Sequence, residues 1–235
     1  VVLDIENDER SLIDAFSDFR KKVRGIIAQE SRKRRLAGSF AIEILGKRLL
    51  SGPVTFAESW RRCKLGLAEE QVADDSDIAA AQRDLNDDAS DDREAEQRQS
   101  TASTVIGAWL KAFADRLSKE IQAIDAAVET LGINLAGKPA VEQDPHYDAR
   151  FSALLDLIER LVRSGKKWSV DERLVVFTEY KTTLDYLLRR LRDKYSDADT
   201  RILSLFGGMD DVQREQVKER FNDPDADVRI LVATD

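Results

Sequence analysis

Residues 173–187 read Arg-Leu-Val-Val-Phe-Thr-Glu-Tyr-Lys-Thr-Thr-Leu-Asp-Tyr-Leu, and this stretch decides the fold class. It opens with a short, continuous apolar run, which is typical of a strand that is buried on both faces. After a polar turn, leucines from Leu184 to Leu191 return at helical spacing. A buried strand that leads directly into an amphipathic helix is the repeating unit of a parallel α/β sheet.

The same alternation of strand and helix continues towards the end of the sequence. Apolar runs predict two further strands, over 201–206 and 228–233, beside the first strand at 173–178. Helical spacing lies between them, and another helix precedes them from Phe151 to Val162. We therefore predict an α/β fold in which a three-stranded parallel sheet has helices on both faces and right-handed crossovers.

Polar residues and glycines follow each predicted strand at its carboxyl end. In sheets of this kind, ligands bind beyond the carboxyl ends of the strands. Hydroxyl groups, free glycine N–H groups and helix N-termini suit an oxyanion, above all a phosphate backbone that is contacted without reading bases. The candidate site residues are Thr178, Tyr180, Thr182, Gly207, Gly208 and Thr234.

A purely structural role accounts for the same residues. Thr182 or Thr183 can cap the helix that follows the first strand, and Gly207-Gly208 can serve only to allow a tight turn. Because short motifs are weak signals, spacing alone favours this structural interpretation.

The first 147 residues lack this alternation and predict helices instead. Asn7 can cap a first helix, and apolar spacing over 36–50 predicts a second. Thr55 and Glu58 have the spacing of a capping box that opens a short third helix. A narrow apolar stripe over 105–131 predicts one long helix, suited to a helical hairpin or a coiled-coil arm.

An acidic segment separates these predicted helices. Between Glu69 and Glu96, twelve acidic residues and two arginines give a local charge of −10, which leaves +2 for the rest of a chain of −8. Residues 20–35 carry eight basic residues and one glutamate, a local +7. Residues 69–103 hold few large apolar side chains, so composition predicts a mobile loop or linker there.

Composition also indicates the cellular compartment of the protein and argues against some kinds of site. A single cysteine, Cys63, excludes an internal disulfide framework and fits a reducing compartment. A single histidine, His146, argues against a metal site built from histidines. No apolar run approaches the roughly 18 residues that span a bilayer, so we expect a cytoplasmic protein that binds no membrane.

Three segments resemble, in order and in spacing, motifs of the Swi/Snf group of superfamily 2 helicases. Residues 173–187 are similar to motif IV of the second RecA-like lobe. Phe206-Gly-Gly-Met-Asp210, followed by Arg214 and Phe221-Asn222, is similar to the next motif, and 230–235 resemble the opening of motif V. Residues 33–49 resemble a Lys-Arg-Arg helix pair of the bacterial RapA/HepA-like branch.

The resemblance implies a division into three parts. Residues 1–68 would be the helical lead-in to motor lobe two, 69–147 an insertion of acidic linker plus helical arm, and 148–235 the first half of that RecA-like lobe. The chain begins with Val-Val-Leu-Asp-Ile, read as a short strand, and ends in an apolar run with no turn after it. We therefore expect a fragment of a longer protein.

The resemblance further implies an ATP-driven translocase or helicase that moves on double-stranded DNA. The six candidate residues would then contact DNA phosphates. ATP and magnesium would be used by the full-length parent, because these 235 residues contain no Gly-x-x-x-x-Gly-Lys-Ser/Thr loop and no Asp-Glu-x-His box. No catalytic, metal-binding or cofactor-binding residue is assigned here, and we expect the fragment alone to be inactive.

Two other classes of function stay open at this stage. In the first, the helical arm around 104–131 recruits a protein partner and the α/β part is its scaffold. In the second, the α/β part binds a small molecule. The second is disfavoured because no glycine-rich dinucleotide fingerprint follows a predicted strand.

Overall fold

The computed structural model describes residue 3 and residues 5–234. The chain folds as two compact units. The helical unit contains Asp4–Ala89 and Glu94–Asp148, and the α/β unit contains Val1–Leu3, Ser90–Arg93 and Ala149–Asp235.

Helices account for nearly all regular structure in the helical unit. Gly52, at φ +152°, ends the second helix, and Pro53 opens the third at a position where no N–H is needed. The elements are α1 Asn7–Ile27, α2 Arg32–Ser51, α3 Pro53–Ala68, α4 Asp75–Asn86, α5 Asp92–Leu110, whose first two residues belong to the α/β unit, α6 Ala114–Thr130, and the 3₁₀ turns Lys111–Phe113 and Ala140–Glu142.

The core of the helical unit is aromatic. Phe16 and Phe19 of α1 pack against Phe56 and Trp60 of α3, with ring centroids 5.4–6.1 Å apart. The Trp60 indole is fully buried and donates to the Asp125 carboxylate at 2.8 Å. The apolar spacing that predicted these helices therefore marks their buried faces.

The acidic segment is helical, which corrects the loop predicted over 69–103. Asp74 forms a capping box with Asp77 at the start of α4, and one apolar side chain, Ile78, is fully buried. Near the other end of α4, the Arg98 guanidinium donates to the carbonyl oxygens of Asp84 and Asp87 at 2.7 and 2.8 Å. Caps and carbonyl contacts supply the order that apolar content does not.

Three predictions about the helices of this unit are also corrected, as is one about residues 1–5 where they are described. The single helix expected over 105–131 is broken by the 3₁₀ turn at 111–113. Glu6, not Asn7, holds the N-cap position of α1. Glu58 does not close a capping box, since α3 begins at Pro53; its carboxylate accepts the Ala140 N–H at 2.9 Å instead. Of the strand expected over 1–5, residues 1, 2 and 4 lie outside the described residues, and the other two are not in a strand.

The α/β unit contains the predicted parallel sheet. The central strand, β5 (Ile230–Thr234), pairs in parallel with β3 (Leu174–Thr178) on one side and with β4 (Ile202–Leu205) on the other. A two-stranded antiparallel hairpin and a four-residue helix were not predicted. The elements are α7 Ala149–Leu161, β1 Arg163–Ser164, β2 Lys167–Trp168, β3 Leu174–Thr178, α8 Lys181–Lys194, α9 Ala198–Arg201, β4 Ile202–Leu205, α10 Asp211–Asn222 and β5 Ile230–Thr234.

Burial on both faces holds for the central strand only. Residues 230–233 of β5 are buried, whereas β3 alternates between half-buried and exposed positions. Val175 and Phe177 are 39% and 68% exposed. On the other face, leucines of α8 and apolar residues of α7 pack against β4 and β5. The continuous apolar run of β3 therefore predicted the strand correctly but not the covering of both its faces.

Candidate nucleic-acid interface

The carboxyl ends of the three parallel strands lie side by side. Thr178, the last residue of β3, is the register partner of Thr234, the last residue of β5. On the other side of β5, Leu205 is the partner of Ala233, so the turn after β4 begins beside Thr234. The topology thus brings Thr178, Gly207 and Thr234 to one edge, which we call the carboxyl edge.

Two hydrogen-bond donors converge at the carboxyl edge on one anionic oxygen. The Gly207 N–H donates to Oδ2 of Asp92 at 2.8 Å, and the Thr234 hydroxyl donates to the same oxygen at 2.5 Å. Asp92 belongs to the short segment 90–93 of the same unit. A backbone N–H and a threonine hydroxyl that share one carboxylate oxygen form a small oxyanion site.

The Gly207-Gly208 pair allows Asp91 and Asp92 to approach the backbone of this turn very closely. A Cβ on Gly207 would lie 2.7 Å from Oδ1 of Asp92, and a Cβ on Gly208 would lie 2.9 Å from Cβ of Asp91. Gly208 also has φ +92°, in the region that disfavours side chains. Both the turn and the approach of an anion require glycine here, so the structural and the binding interpretations apply to the same two residues.

The three other candidate residues lie around the start of α8. The Thr178 hydroxyl faces the Tyr180 N–H at 3.4 Å, and Tyr180 occupies the N-cap position of α8 without a side-chain cap. The side chains of Tyr180 and Thr182 are buried, at 5% and 6% exposure, whereas Thr178 is half-buried. Of the six candidates, Gly207 and Thr234 meet on one oxygen, while the Tyr180 and Thr182 side chains lie in the interior.

Sequence reasoning did not identify Asp91 and Asp92 as neighbours of this edge. They lie 115 or more residues before the glycines in the chain, inside an acidic run with no motif. The only signal that pointed to them was the excess of negative charge, which does not say which carboxylate meets which donor.

One loop of the helical unit has most of the spacing of a phosphate loop. Gly132 and Gly137-Lys138 match its glycines and lysine, but Pro139 replaces the serine or threonine. The loop follows a helix, not a strand, and its N–H groups are already used: Asn134 donates to the Gln143 side chain at 2.7 Å. This loop therefore cannot wrap phosphates as a nucleotide-binding loop does.

The part of the chain that the structure describes contains neither a metal-binding cluster nor a membrane-spanning helix. Within residue 3 and residues 5–234, no group of three or more His, Cys, Asp or Glu side chains could hold a metal ion. Over the same described residues, every helix is too short or too polar to cross a membrane.

A comparison with known protein families finds a match for the α/β unit. A family model described as the helicase conserved C-terminal domain matches residues 149–235, which run from α7 through β5. No curated protein and no solved structure matches the chain. Together with the parallel sheet, the match is consistent with a partial RecA-like fold. It supports a superfamily 2 helicase C-terminal lobe and, at that level, a helicase-like, nucleic-acid-related function in a helicase-family ATPase.

Proposed function

We propose that residues 148–235 are the first half of the second motor lobe of a Swi/Snf-type, ATP-dependent DNA translocase of the RapA/HepA-like branch. In this proposal the lobe holds the phosphates of double-stranded DNA at its carboxyl edge. ATP, magnesium and the groups that catalyse hydrolysis act in other parts of the motor. Residues 1–68 are the helical lead-in to this lobe, and residues 69–147 are an insertion that binds a protein partner.

The observation that carries the proposal is the pair of donors on one anionic oxygen. Gly207 N–H and Thr234 Oγ1 lie 2.8 and 2.5 Å from Oδ2 of Asp92, which are ordinary distances for hydrogen bonds to an ionised acceptor. A phosphodiester oxygen has the same charge-assisted acceptor chemistry. Such contacts position a protein on the duplex and carry no sequence information, as a translocating motor requires.

Tyr180 and Thr182 have a different role in this proposal from the one their spacing suggested. Because both side chains are buried, they support the start of α8. A phosphate beside Thr178 would then lie at the N-terminus of α8, where the helix dipole favours an anion. We keep all six residues as the DNA-binding set, four through groups at the edge and two through the helix that they position.

The first experiment measures ATP hydrolysis by the 235-residue chain, with and without duplex DNA. We expect no hydrolysis above a buffer blank, because the Gly132–Pro139 loop cannot hold the phosphates. Among residue 3 and residues 5–234, no cluster of side chains could hold a metal ion either, and we assign the arginine finger to another part of the motor. DNA-stimulated hydrolysis by this chain would contradict the proposal that other parts of the motor catalyse ATP hydrolysis.

The second experiment measures binding of the same chain to a fluorescent duplex by anisotropy. We expect weak binding, with a dissociation constant near the non-specific range of about 10⁻⁴ M. Asp92 uses the same donor, so the comparison is made in chains that carry Asp92→Asn. In that background Thr234→Val keeps the shape of the side chain and removes the donor, and we expect it to weaken binding about tenfold. Thr200→Val is the matched control, since Thr200 lies in α9 and its hydroxyl donates to the Asp197 carbonyl. Equal affinities of the two variants would refute a phosphate contact at the carboxyl edge.

A further inference from the structure

The segment 90–93 lies on the carboxyl edge of its own unit. We propose that Asp92, supported by Asp91, is an intramolecular phosphate mimic that occupies the phosphate position and must leave before nucleic acid can bind there. The inference rests on the proposed function, because it takes the carboxyl edge to be a phosphate site. It adds that the site is blocked while Asp92 occupies it, a conformation that we call the closed state.

The hydrogen bonds show how completely the segment uses the edge. Oδ2 of Asp92 receives both the Gly207 N–H and the Thr234 hydroxyl, and the Asp92 N–H lies 3.4 Å from the Gly207 carbonyl oxygen. The contact is therefore reciprocal: the Gly207 N–H donates to the Asp92 side chain, and the Asp92 N–H donates to the Gly207 carbonyl oxygen. Both donors that a phosphate oxygen would use are engaged by one carboxylate.

Space at the edge makes the two occupants mutually exclusive. Asp91 and Asp92 approach so closely that even a single added carbon on Gly208 or Gly207 would lie 2.9 and 2.7 Å from them. A phosphate group is larger than a methyl group and cannot enter beside them. Binding at Gly207 and Thr234 therefore requires that the segment first move away from the edge.

Charge acts in the same direction as space. The acidic run from Glu69 to Glu96 has a local charge of −10, and Asp92 is near its end. The Asp91 and Asp92 carboxylates lie in the same unit as the two donors and repel an incoming phosphate. Competition for the two donors is specific to Asp92, whereas a general effect of negative charge is common to every acidic residue of the run. A pair of charge-neutralising variants can therefore separate the two effects.

The test compares Asp92→Asn with Asp88→Asn in the 235-residue chain, by anisotropy with the fluorescent duplex. Both variants remove one negative charge from the same run, but Asp88 is exposed and four residues away from the edge contact. We expect Asp92→Asn to tighten binding about tenfold, the factor that one charge-assisted hydrogen bond contributes to the closed state. We expect Asp88→Asn to tighten it by less than about twofold. Circular dichroism checks that both variants fold.

A third chain, carrying Asp92→Asn together with Thr234→Val, shows where the gain arises. We expect the added Thr234→Val to abolish the gain. Equal gains from Asp92→Asn and Asp88→Asn would overturn the mimic and leave the proposed phosphate site standing. A gain that survives Thr234→Val would show that Thr234 holds no phosphate and would overturn both the mimic and the site. Absence of binding by every chain at 10⁻⁴ M, the order of the non-specific range, would overturn both.

Discussion

Two glycines at the crossing of α3 and α5 provide the sharpest test of the helical unit. A Cβ on Gly66 would lie 1.9 Å from the Thr104 carbonyl oxygen, and a Cβ on Gly107 would lie 1.9 Å from the Cys63 carbonyl oxygen. The obstructing atoms are backbone atoms of the other helix, so no side chain can rotate to make room. Gly66→Ala and Gly107→Ala should therefore force the two helices apart.

The size of the effect follows from the distances. Moving from 1.9 Å to an ordinary contact of 3.4 Å requires a separation of about 1.5 Å at the crossing. Overpacking of a close-packed core costs about 1–3 kcal/mol and more when the backbone must move. Alanine is the better helix former by about 1 kcal/mol, which offsets part of this cost. We expect a net loss of about 2 kcal/mol or more for either substitution, a large part of a typical stability of about 5–15 kcal/mol.

Gly25→Ala is the matched control, because Gly25 lies within α1 with no atom within 4 Å of an added Cβ. The same chemical change should there raise the free energy of unfolding by about 0.4–1 kcal/mol. Urea denaturation followed by circular dichroism at 222 nm measures all three variants. If Gly107→Ala were as stable as Gly25→Ala, the helices could not cross at the depth that the structure gives.

Two further predictions concern buried polar groups. Glu96→Gln removes the carboxylate that lies 2.8 Å from the buried Arg48 guanidinium and should lower the free energy of unfolding by about 1.5–3 kcal/mol. Glu43→Gln, in an exposed pair, should change it by less than about 0.5 kcal/mol; equal losses in urea denaturation would contradict this. Burial, with the Glu159 carboxylate, raises the pKa of Tyr195 from 10.0 to about 12. The stability that this shift contributes is present below pH 10 and lost as the pH rises towards 12. In an absorbance titration at 295 nm, Tyr195→Phe should remove a transition near pH 12 that the unchanged chain shows.

The α/β unit was predictable because its strands are short apolar runs with clear ends. Each of the three strands lies within two residues of its predicted bounds, and the pairing is parallel as predicted. The exposed face of β3 was not predictable, because an apolar run has the same appearance whether one face or both are covered. The family match and the parallel sheet support a superfamily 2 helicase C-terminal lobe, whereas the Swi/Snf group that the motifs indicated stays a prediction.

The acidic segment was misread because composition measures only apolar burial. In α4 a single fully buried side chain, Ile78, is accompanied by a capping box at one end and by Arg98, which donates to backbone carbonyl oxygens near the other end. The Trp109 indole also donates to the Asp75 carboxylate at 2.9 Å. Each of these contacts joins polar groups, so a scale of hydrophobicity counts them as reasons for disorder. Helix caps read with their spacing, Asp74 with Asp77, would have given the better prediction.

The candidate site shows a second limit of the same kind. A net charge of −8 argues against a phosphate ligand if the charge is taken as spread evenly over the surface. Hydrogen bonding is decided by a few atoms instead: one carboxylate oxygen of Asp92, 115 residues from Gly207 and 142 from Thr234, meets both donors. Donors that are arranged to hold an anion also bind a carboxylate of the chain itself when no other anion is present. An acidic segment and a phosphate site in one unit are therefore compatible, since the same geometry that makes the edge suitable for phosphate makes it suitable for Asp92.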